Sequence, residues 1–518
     1  MTLDLSRRHV LKGGTALFTA IATGVLRPGS GHAAQDSVVV RLERDLANLD
    51  PANRVGAEDV NVINVVQQGL VGFKPGSTEW ELDAAEEIKQ TSDTEIEFKL
   101  RPGLAFTGGH GEMTAEDVKF SFERFIKTGA DGKKVAYADD WAALDHVEVT
   151  GPLTGKIVLK EPSPALWVIT LPDGSGRIMS RKATEELGDK IATTLVGSGP
   201  YILKEWKPRE QFVLEINPDY KGPIKPYFKQ IIGKPIAEKK TAEIAFQADE
   251  IHFTEIEPAS KDTFQNMAGS AVTEVPAIDY IWLGPNVEKK PYDDVRVRQA
   301  VRLAIDVDAV LTAAYGGLFP RANALLAPGL IGYWKEAPVY KRDLEAARKL
   351  LADAGVGSGF KTKLTVLARE RDQTAAAVIQ ANLAEIAVEV EIEVLDEGAY
   401  WALGENDASK ALELSYIQYS GKFDPSFQTQ WFTSDQVGTW NWQRWANKDF
   451  DALHAEGMRT VDVAKRNEIY VKAQQLQDES AAFIWITHNL YTFANKKWLQ
   501  PGVLPNGNQW LYTAFKEV

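Results

Sequence analysis

The chain has 518 residues, 44% hydrophobic and 25% charged, which is the composition of a soluble globular protein large enough for two or three domains. A formal net charge of -14 argues against nucleic acid as a partner, since neutralising phosphates requires clustered Lys and Arg. The absence of cysteine excludes disulfides, thiolate metal sites, a cysteine nucleophile and a lipidated N-terminal cysteine.

The first 33 residues are read as a cleavable export signal rather than as fold. Arg7 and Arg8 precede the apolar run Ala16–Ala22, and Gly31-His32-Ala33 supplies the small residues a signal peptidase recognises. The apolar run is far short of the ~20 residues a membrane span needs. The arginine pair resembles a twin-arginine signal, with Val10 where such signals usually carry Phe. Removing Met1–Ala33 takes away four basic residues and one acidic residue, so the mature chain carries -17. With no cysteine to lipidate, the exported chain is expected to carry no lipid anchor, and the family resemblance described below implies that it diffuses freely in the periplasm.

Ser37–Leu42 is predicted to be a buried strand, followed by a turn over Asn48–Ala52. Val62, Val65, Val66 and Leu70 give the stretch from Val55 to Leu70 a helical period, and Ala57 near its start is a candidate ligand-binding residue. From Val71 to Thr194 the pattern turns to alternating strands such as Thr94–Leu100 and Lys156–Lys160. Within it, Thr114 and Asp117 cap a helix whose stripe is Val118, Phe122 and Phe125. Strands at Tyr201–Trp206, Phe212–Ile216 and Ile251–Phe253 and a helix at Thr241–Gln247 come next. Ile278–Leu283, running into Gly284 and Pro285, is a further strand, and the family resemblance described below implies that it makes the first crossing between two lobes.

Asp293 and Asp294 can cap the next helix, on which Val297, Ala300, Val301, Ala304 and Ile305 form one buried face. Arg298 and Arg302 fall off that stripe, and Arg302 is placed to pair with Asp306. Helices at Leu344–Ala354 and Gln373–Ile386 alternate with strands at Leu364–Ala368 and Val388–Val394, a βαβ arrangement. The strict alternation of Val388–Val394 marks one solvated face. After a helix over Val463–Gln477, Ala482–Ile486 is the expected return crossing.

The residues for catalysis do not assemble. Five histidines remain after the signal (His110, His146, His252, His454, His488), none at metal-ligand spacing, and no metal or cofactor is expected. The Gly-Ser-Gly stretches at 174–176, 197–199 and 357–359 are turns rather than nucleophile elbows or phosphate loops. The carboxylate pairs Asp139-Asp140 and Asp293-Asp294 keep a glycosidase as an enzymatic alternative. Aromatics crowd the stretch from Trp401 to Trp445. Phe427 and Phe432 are expected in the core, whereas Thr439–Trp445 mixes tryptophans with amide and guanidinium donors, as a wet ligand cleft does.

Four segments, in order, carry a family resemblance: GEMTAEDVKFSFERF (Gly111–Phe125), VGSGPYILKEW (Val196–Trp206), NPDYKG (Asn217–Gly222) and PYDDVRVRQAVRLAIDVDAV (Pro291–Val310). They resemble the recurring blocks of the extracytoplasmic solute-binding proteins of peptide-type ABC importers, family 5, over nearly all of the chain after residue 37. The resemblance implies an α/β, two-lobed periplasmic solute-binding fold with an inserted third domain. It divides the chain into a signal (1–33), first lobe (34–70), accessory domain (71–194), first lobe again (195–282), second lobe (283–487) and a first-lobe tail (488–518). It implies a monomer that captures a small solute by hinge closure and hands it to permease subunits in the inner membrane. In peptide-binding relatives an aspartate three residues before an acid-Pro pair holds the peptide ammonium. Here Asp424-Pro425 matches the pair and the aspartate position falls on Gly421. The resemblance therefore points to Gln418, Tyr419, Gly421, Asp424, Trp440 and Trp442 as ligand-binding, with Asp424 or another acid replacing the aspartate. A peptide is the leading ligand, a sugar-containing or opine-like solute the alternative.

Overall fold

The computed structural model describes residues 35–128, 133–507 and 509–518. The expected export segment therefore lies outside the described residues. Three principal sheets organise the chain. The first has seven strands in the order Ser270–Pro276, Leu490–Lys496, Phe253–Glu255, Ser37–Leu42, Gln230–Pro235, Gln211–Ile216, Tyr201–Lys207. Ser37–Leu42 sits inside it, parallel to both neighbours, which is why Val38 and Val40 are fully buried. Leu490–Lys496 is a strand in its own right, antiparallel to Phe253–Glu255 on one side and Ser270–Pro276 on the other.

Helix Ala57–Val66 packs Val62, Ile63, Val65 and Val66 into the core with that sheet. Its start is organised by Asp59, whose carboxylate accepts from the backbone N–H of Ala47 at 2.8 Å, Asn48 at 3.2 Å and Val55 at 2.9 Å. Its end meets the Gly-Ser-Gly turn at 197–199 so closely that a Cβ on Gly197 would lie 1.8 Å from the Val66 carbonyl oxygen. Glycine there serves close backbone approach.

The second sheet is four-stranded and antiparallel, ordered Ala85–Ser92, Glu95–Leu100, Thr154–Leu159, Leu144–Gly151. Helix Ala115–Ile126, capped by Thr114 and Asp117, lays Val118, Phe122 and Phe125 onto it, and Phe122 stacks on Trp141 at 4.3 Å. These residues form a core of their own.

The third sheet is ordered Val388–Leu395, Phe360–Leu367, Leu414–Tyr419, Tyr280–Pro285, Ile484–Thr487. Its two faces bury different chemistry, because successive side chains point to opposite sides. Ile281 and Leu283 face the aliphatic core under the helices, while Tyr280 and Trp282 join an aromatic core with Tyr419, Phe432, Trp442, Phe483 and Trp485. We refer to the parts built on the seven- and five-stranded sheets as the first and second lobes.

Helix Val295–Ala304 opens on Asp294, which accepts from the Arg296 N–H at 2.8 Å. Two of its charges depart from expectation. Arg298 is buried and donates to the carbonyls of Ser480 and Tyr292, closing backbone acceptors that would otherwise be orphaned. Arg302 pairs with Asp478 at 3.1 Å rather than with Asp306, because the helix stops at Ala304 and Asp306 caps the following helix, Val307–Tyr315.

The chain passes between the first and third sheets at residues 277–279 and 488–489. The strand Tyr280–Pro285, expected at the crossing itself, is fully buried between Leu414–Tyr419 and Ile484–Thr487, so the passage falls just before it. Asp279 ties the two passages together: its carboxylate accepts from Asn489 Nδ2 at 2.8 Å and Tyr491 Oη at 3.1 Å. Burial raises the Asp279 pKa.

Candidate ligand cleft

A cavity of about 210 Å³ opens where these parts meet. Arg54, Gly56, Ala57, Val60 and Phe73 wall it from the start of the first helix and the strand after it, Tyr137, Val168, Ile169 and Asp173 from the neighbouring loops. Across from them stand Ser420, Gly421, Lys422, Phe423 and Phe427, which follow the central strand Leu414–Tyr419, and the C-terminal segment adds Asn506 and Gln509.

The charged groups are held in place from behind. Arg54 lies flat on the Tyr137 ring at 3.6 Å, donates to the Pro51 carbonyl at 2.5 Å and Ser175 Oγ at 2.9 Å, and pairs with Asp140 at 3.3 Å. Asp140 also accepts from Ser175 Oγ at 2.5 Å and reaches Lys422 Nζ at 3.5 Å, bridging to the second lobe. Asp173 accepts from Asn64 Nδ2 at 3.3 Å and Gln509 Nε2 at 3.0 Å.

Of the residues singled out by sequence, Ala57 and Gly421 line this cavity. Gly421 is seated against the first passage: a Cβ there would come within 2.2 Å of the Ile278 carbonyl oxygen and 2.9 Å of Gln428 Nε2. No larger residue fits that backbone position without displacement. Gln418 sits one step back, donating to Asp279 at 3.2 Å and accepting from Arg371. Tyr419 is buried, and its hydroxyl donates to the Trp440 carbonyl at 2.7 Å.

Asp424 does not line this cavity. It is fully buried, its two oxygens accept from Arg466 Nη1 and Nη2 at 2.7 Å each, and one also takes the Ser426 N–H at 2.9 Å to cap the helix Pro425–Thr429. With Ser426 Oγ donating to the same oxygen at 2.6 Å, both carboxylate oxygens are engaged within the protein. Trp442 is likewise core, 1% exposed, packed on Tyr400 at 5.2 Å with its indole N–H on the Thr439 carbonyl. The donors around it serve the fold. Asn441 binds the Phe432 and Trp445 carbonyls, Gln443 binds Ser415, and Arg444 pairs with Glu288 and Asp407. Trp440 is the exposed one, at 39%. It meets Trp431 at 5.3 Å, and Trp431 meets Phe427 at 5.3 Å, so a row of rings leads outward from the cavity wall.

Sequence reasoning missed Arg54, Tyr137, Asp173 and Lys422, and assigned the wall residue Phe427 to the core. A signal existed for one of them: Lys422 stands beside Gly421 in the same segment, a cation where the resemblance leads one to look for an acid. Among the described residues, no group of three or more His, Cys, Asp or Glu is placed to hold a metal.

Comparison with known proteins agrees with this architecture. The chain is 28% identical over 486 residues to the Escherichia coli (strain K12) protein named "Probable D,D-dipeptide-binding periplasmic protein DdpA", covering 90% of this chain and 91% of that one. It is 26% identical over 500 residues to the glutathione-binding protein GsiB of the same strain, covering 93% and 95%. Its fold matches the periplasmic binding protein DppA from Helicobacter pylori in complex with the peptide STSA, with a TM-score of 0.75, 25% identity, and coverage of 93% and 98%. Residues 79–453 match the family described as bacterial extracellular solute-binding proteins, family 5. The chain therefore belongs to the family 5 bacterial extracellular solute-binding proteins, whose members include the peptide-binding components of ABC importers.

Proposed function

We propose that this protein captures a small peptide-like solute outside the cytoplasm, closes on it by rotation about the passages at 277–279 and 488–489, and delivers it to a membrane permease. One observation carries this reading: the cavity is walled from both sides of those passages, by residues 54–60 and by residues 420–423. A solute held between two bodies adds contacts to whichever state brings them together, so its binding favours closure. At about 210 Å³ the cavity is smaller than the roughly 300–1,000 Å³ of clefts for drug-sized ligands, which favours a dipeptide over a long oligopeptide. The export signal read in residues 1–33 supports the location.

An opine-like solute is the second reading, favoured by Gly421, which offers no carboxylate from the second lobe. Thermal denaturation of the chain from residue 36 with D-alanyl-D-alanine, glutathione or mannopinic acid separates the two. A ligand at 100 times its Kd adds about 2.7 kcal/mol of stability, which the melting curve resolves. Stabilisation by a peptide with an unchanged probe recovered afterwards supports the proposal. Stabilisation by mannopinic acid alone supports the second reading, no stabilisation by any probe refutes both, and probe turnover refutes a binding role.

A further inference from the structure

The cavity is lined by two charges of opposite sign, Lys422 and Asp173, that the protein pairs only weakly, and they sit on different walls. Arg54 and Lys422, from facing walls, share a single carboxylate. Asp140 takes Arg54 at 3.3 Å and Ser175 at 2.5 Å through Oδ2, leaving Lys422 a 3.5 Å contact to Oδ1, at the outer limit of a hydrogen bond. The rest of the Lys422 environment is aromatic, with the ammonium 4.9 Å from the Phe427 ring centre and 5.9 Å from that of Tyr137. Two cations to one anion leaves one positive charge in excess.

The Asp173 carboxylate accepts from two neutral amides, those of Asn64 and Gln509. The nearby Arg177 gives its guanidinium N–H groups to the carbonyls of Asp173, Val71 and Pro172, and its charge acts first on Asp83, at 3.7 Å, and then on Asp173, with which it makes no ion pair. Asp173 is 7% exposed, so water screens it weakly.

We infer that Lys422 and Asp173 fix the polarity of the ligand: its anionic group lies on Lys422, beside the end of the central strand, and its cationic group on Asp173. The solute is thus zwitterionic, and it lies reversed relative to a ligand whose ammonium is held from the Gly421 position. Gly421 allows this, because its lack of a side chain lets the chain turn tightly past Ile278 and direct Lys422 to the cavity. This inference rests on the peptide reading of the same cavity and adds the orientation.

The test uses isothermal titration of four probes: D-alanyl-D-alanine, its N-acetyl form, its C-terminal amide, and the doubly blocked compound. The proteins are the wild type, Lys422→Gln, Lys422→Arg and Asp173→Asn. The wild type is expected to lose tenfold or more in affinity for each singly blocked probe, as the removal of a charge-assisted hydrogen bond does. Lys422→Gln should bind the free acid and the amide within threefold of one another while keeping its preference for the free amine, and Lys422→Arg should restore the acid preference. Asp173→Asn should do the reverse. Loss of amine preference in Lys422→Gln, or unchanged preferences in both variants, overturns the inference while leaving dipeptide capture standing. Binding of none of the probes overturns the dipeptide reading and the inference together.

Discussion

Replacing Asp424 by asparagine separates a structural carboxylate from a ligand-binding one. The side chain is fully buried, as is Arg466 at 2% side-chain exposure, and the two form a two-pronged pair at 2.7 Å on each prong. Asparagine keeps the shape and turns one acceptor oxygen into an NH₂ group. On either side that group faces a guanidinium N–H, and on the Oδ1 side the Ser426 N–H as well, donor against donor, and the Arg466 charge is left without its counter-ion. Removing one partner of a buried pair costs about 3–5 kcal/mol. Each kcal/mol moves Tm by about 2–4 °C in a unit of 150–250 residues and by less in a larger one, so for the compact unit Asp36–Val518 the downward shift is below roughly 6–20 °C. Urea and thermal denaturation followed by tryptophan fluorescence measure it. The double variant Asp424→Asn with Arg466→Met removes the stranded charge and is expected to recover part of the loss. Ligand affinity of the folded single variant should stay within threefold of wild type. Destabilisation under about 1 kcal/mol, or a folded variant that has lost its ligand, would refute the reasoning.

Gly421→Ala drives a methyl group against the Ile278 carbonyl and is expected to cost about 1–3 kcal/mol in urea denaturation, with Gly421→Asp gaining no affinity for a ligand ammonium. Trp442→Ala empties a buried site and should cost about 3–5 kcal/mol, whereas Trp440→Ala should cost under about 1 kcal/mol, since its ring is 39% exposed and the Tyr419 bond goes to its backbone. Equal losses for the two tryptophans would contradict the packing described. Burial lowers the pKa of both His454 and His488 to about 4, so each stays neutral in the folded state while the unfolded chain protonates near 6.5. Stability is therefore complete above about pH 6.5 and falls by up to about 1.4 kcal/mol per pH unit per histidine as pH drops toward 4. Urea titrations across that range should show the slope, and His454→Gln should reduce it by one proton.

Elements with local signals were legible from sequence. Thr114 with Asp117, and Asp294 ahead of its apolar stripe, announce helices because a cap satisfies N–H groups that nothing else nearby can reach. The edge strand Val388–Leu395 alternates because one of its faces meets water near its start, where buried Val388 and Val390 alternate with exposed Glu389 and Glu391. Strands inside a sheet gave less. Gln230–Pro235 ends in Gly-Lys-Pro and resembles a turn, and Leu490–Lys496 buries Thr492, Asn495 and Lys496 beside Phe493, so polarity does not report which face is inside. What defines both is pairing with strands far away in sequence, which a local pattern does not encode.

The cleft was harder to read for a further reason: the side chains that suit a ligand also suit a core. Asp424 and Trp442 have the chemistry of an amine acceptor and a stacking platform, and the protein directs both inward, to Arg466 and to Tyr400. Whether such a residue faces a ligand depends on what the rest of the fold brings opposite it. Arg54 and Asp173 are separated from Lys422 by hundreds of positions, and they become a site only through contacts such as Arg54 on Tyr137 and Asp140 reaching Lys422 across the lobes. Gly421 shows the same dependence in reverse. Its missing side chain suggests a lost function in the sequence, yet a Cβ there would lie 2.2 Å from the Ile278 oxygen, and the glycine marks the point where the cavity wall rests on the passage between lobes. Residues 420–422, which wall the cavity, therefore lie at the place where the two lobes are joined.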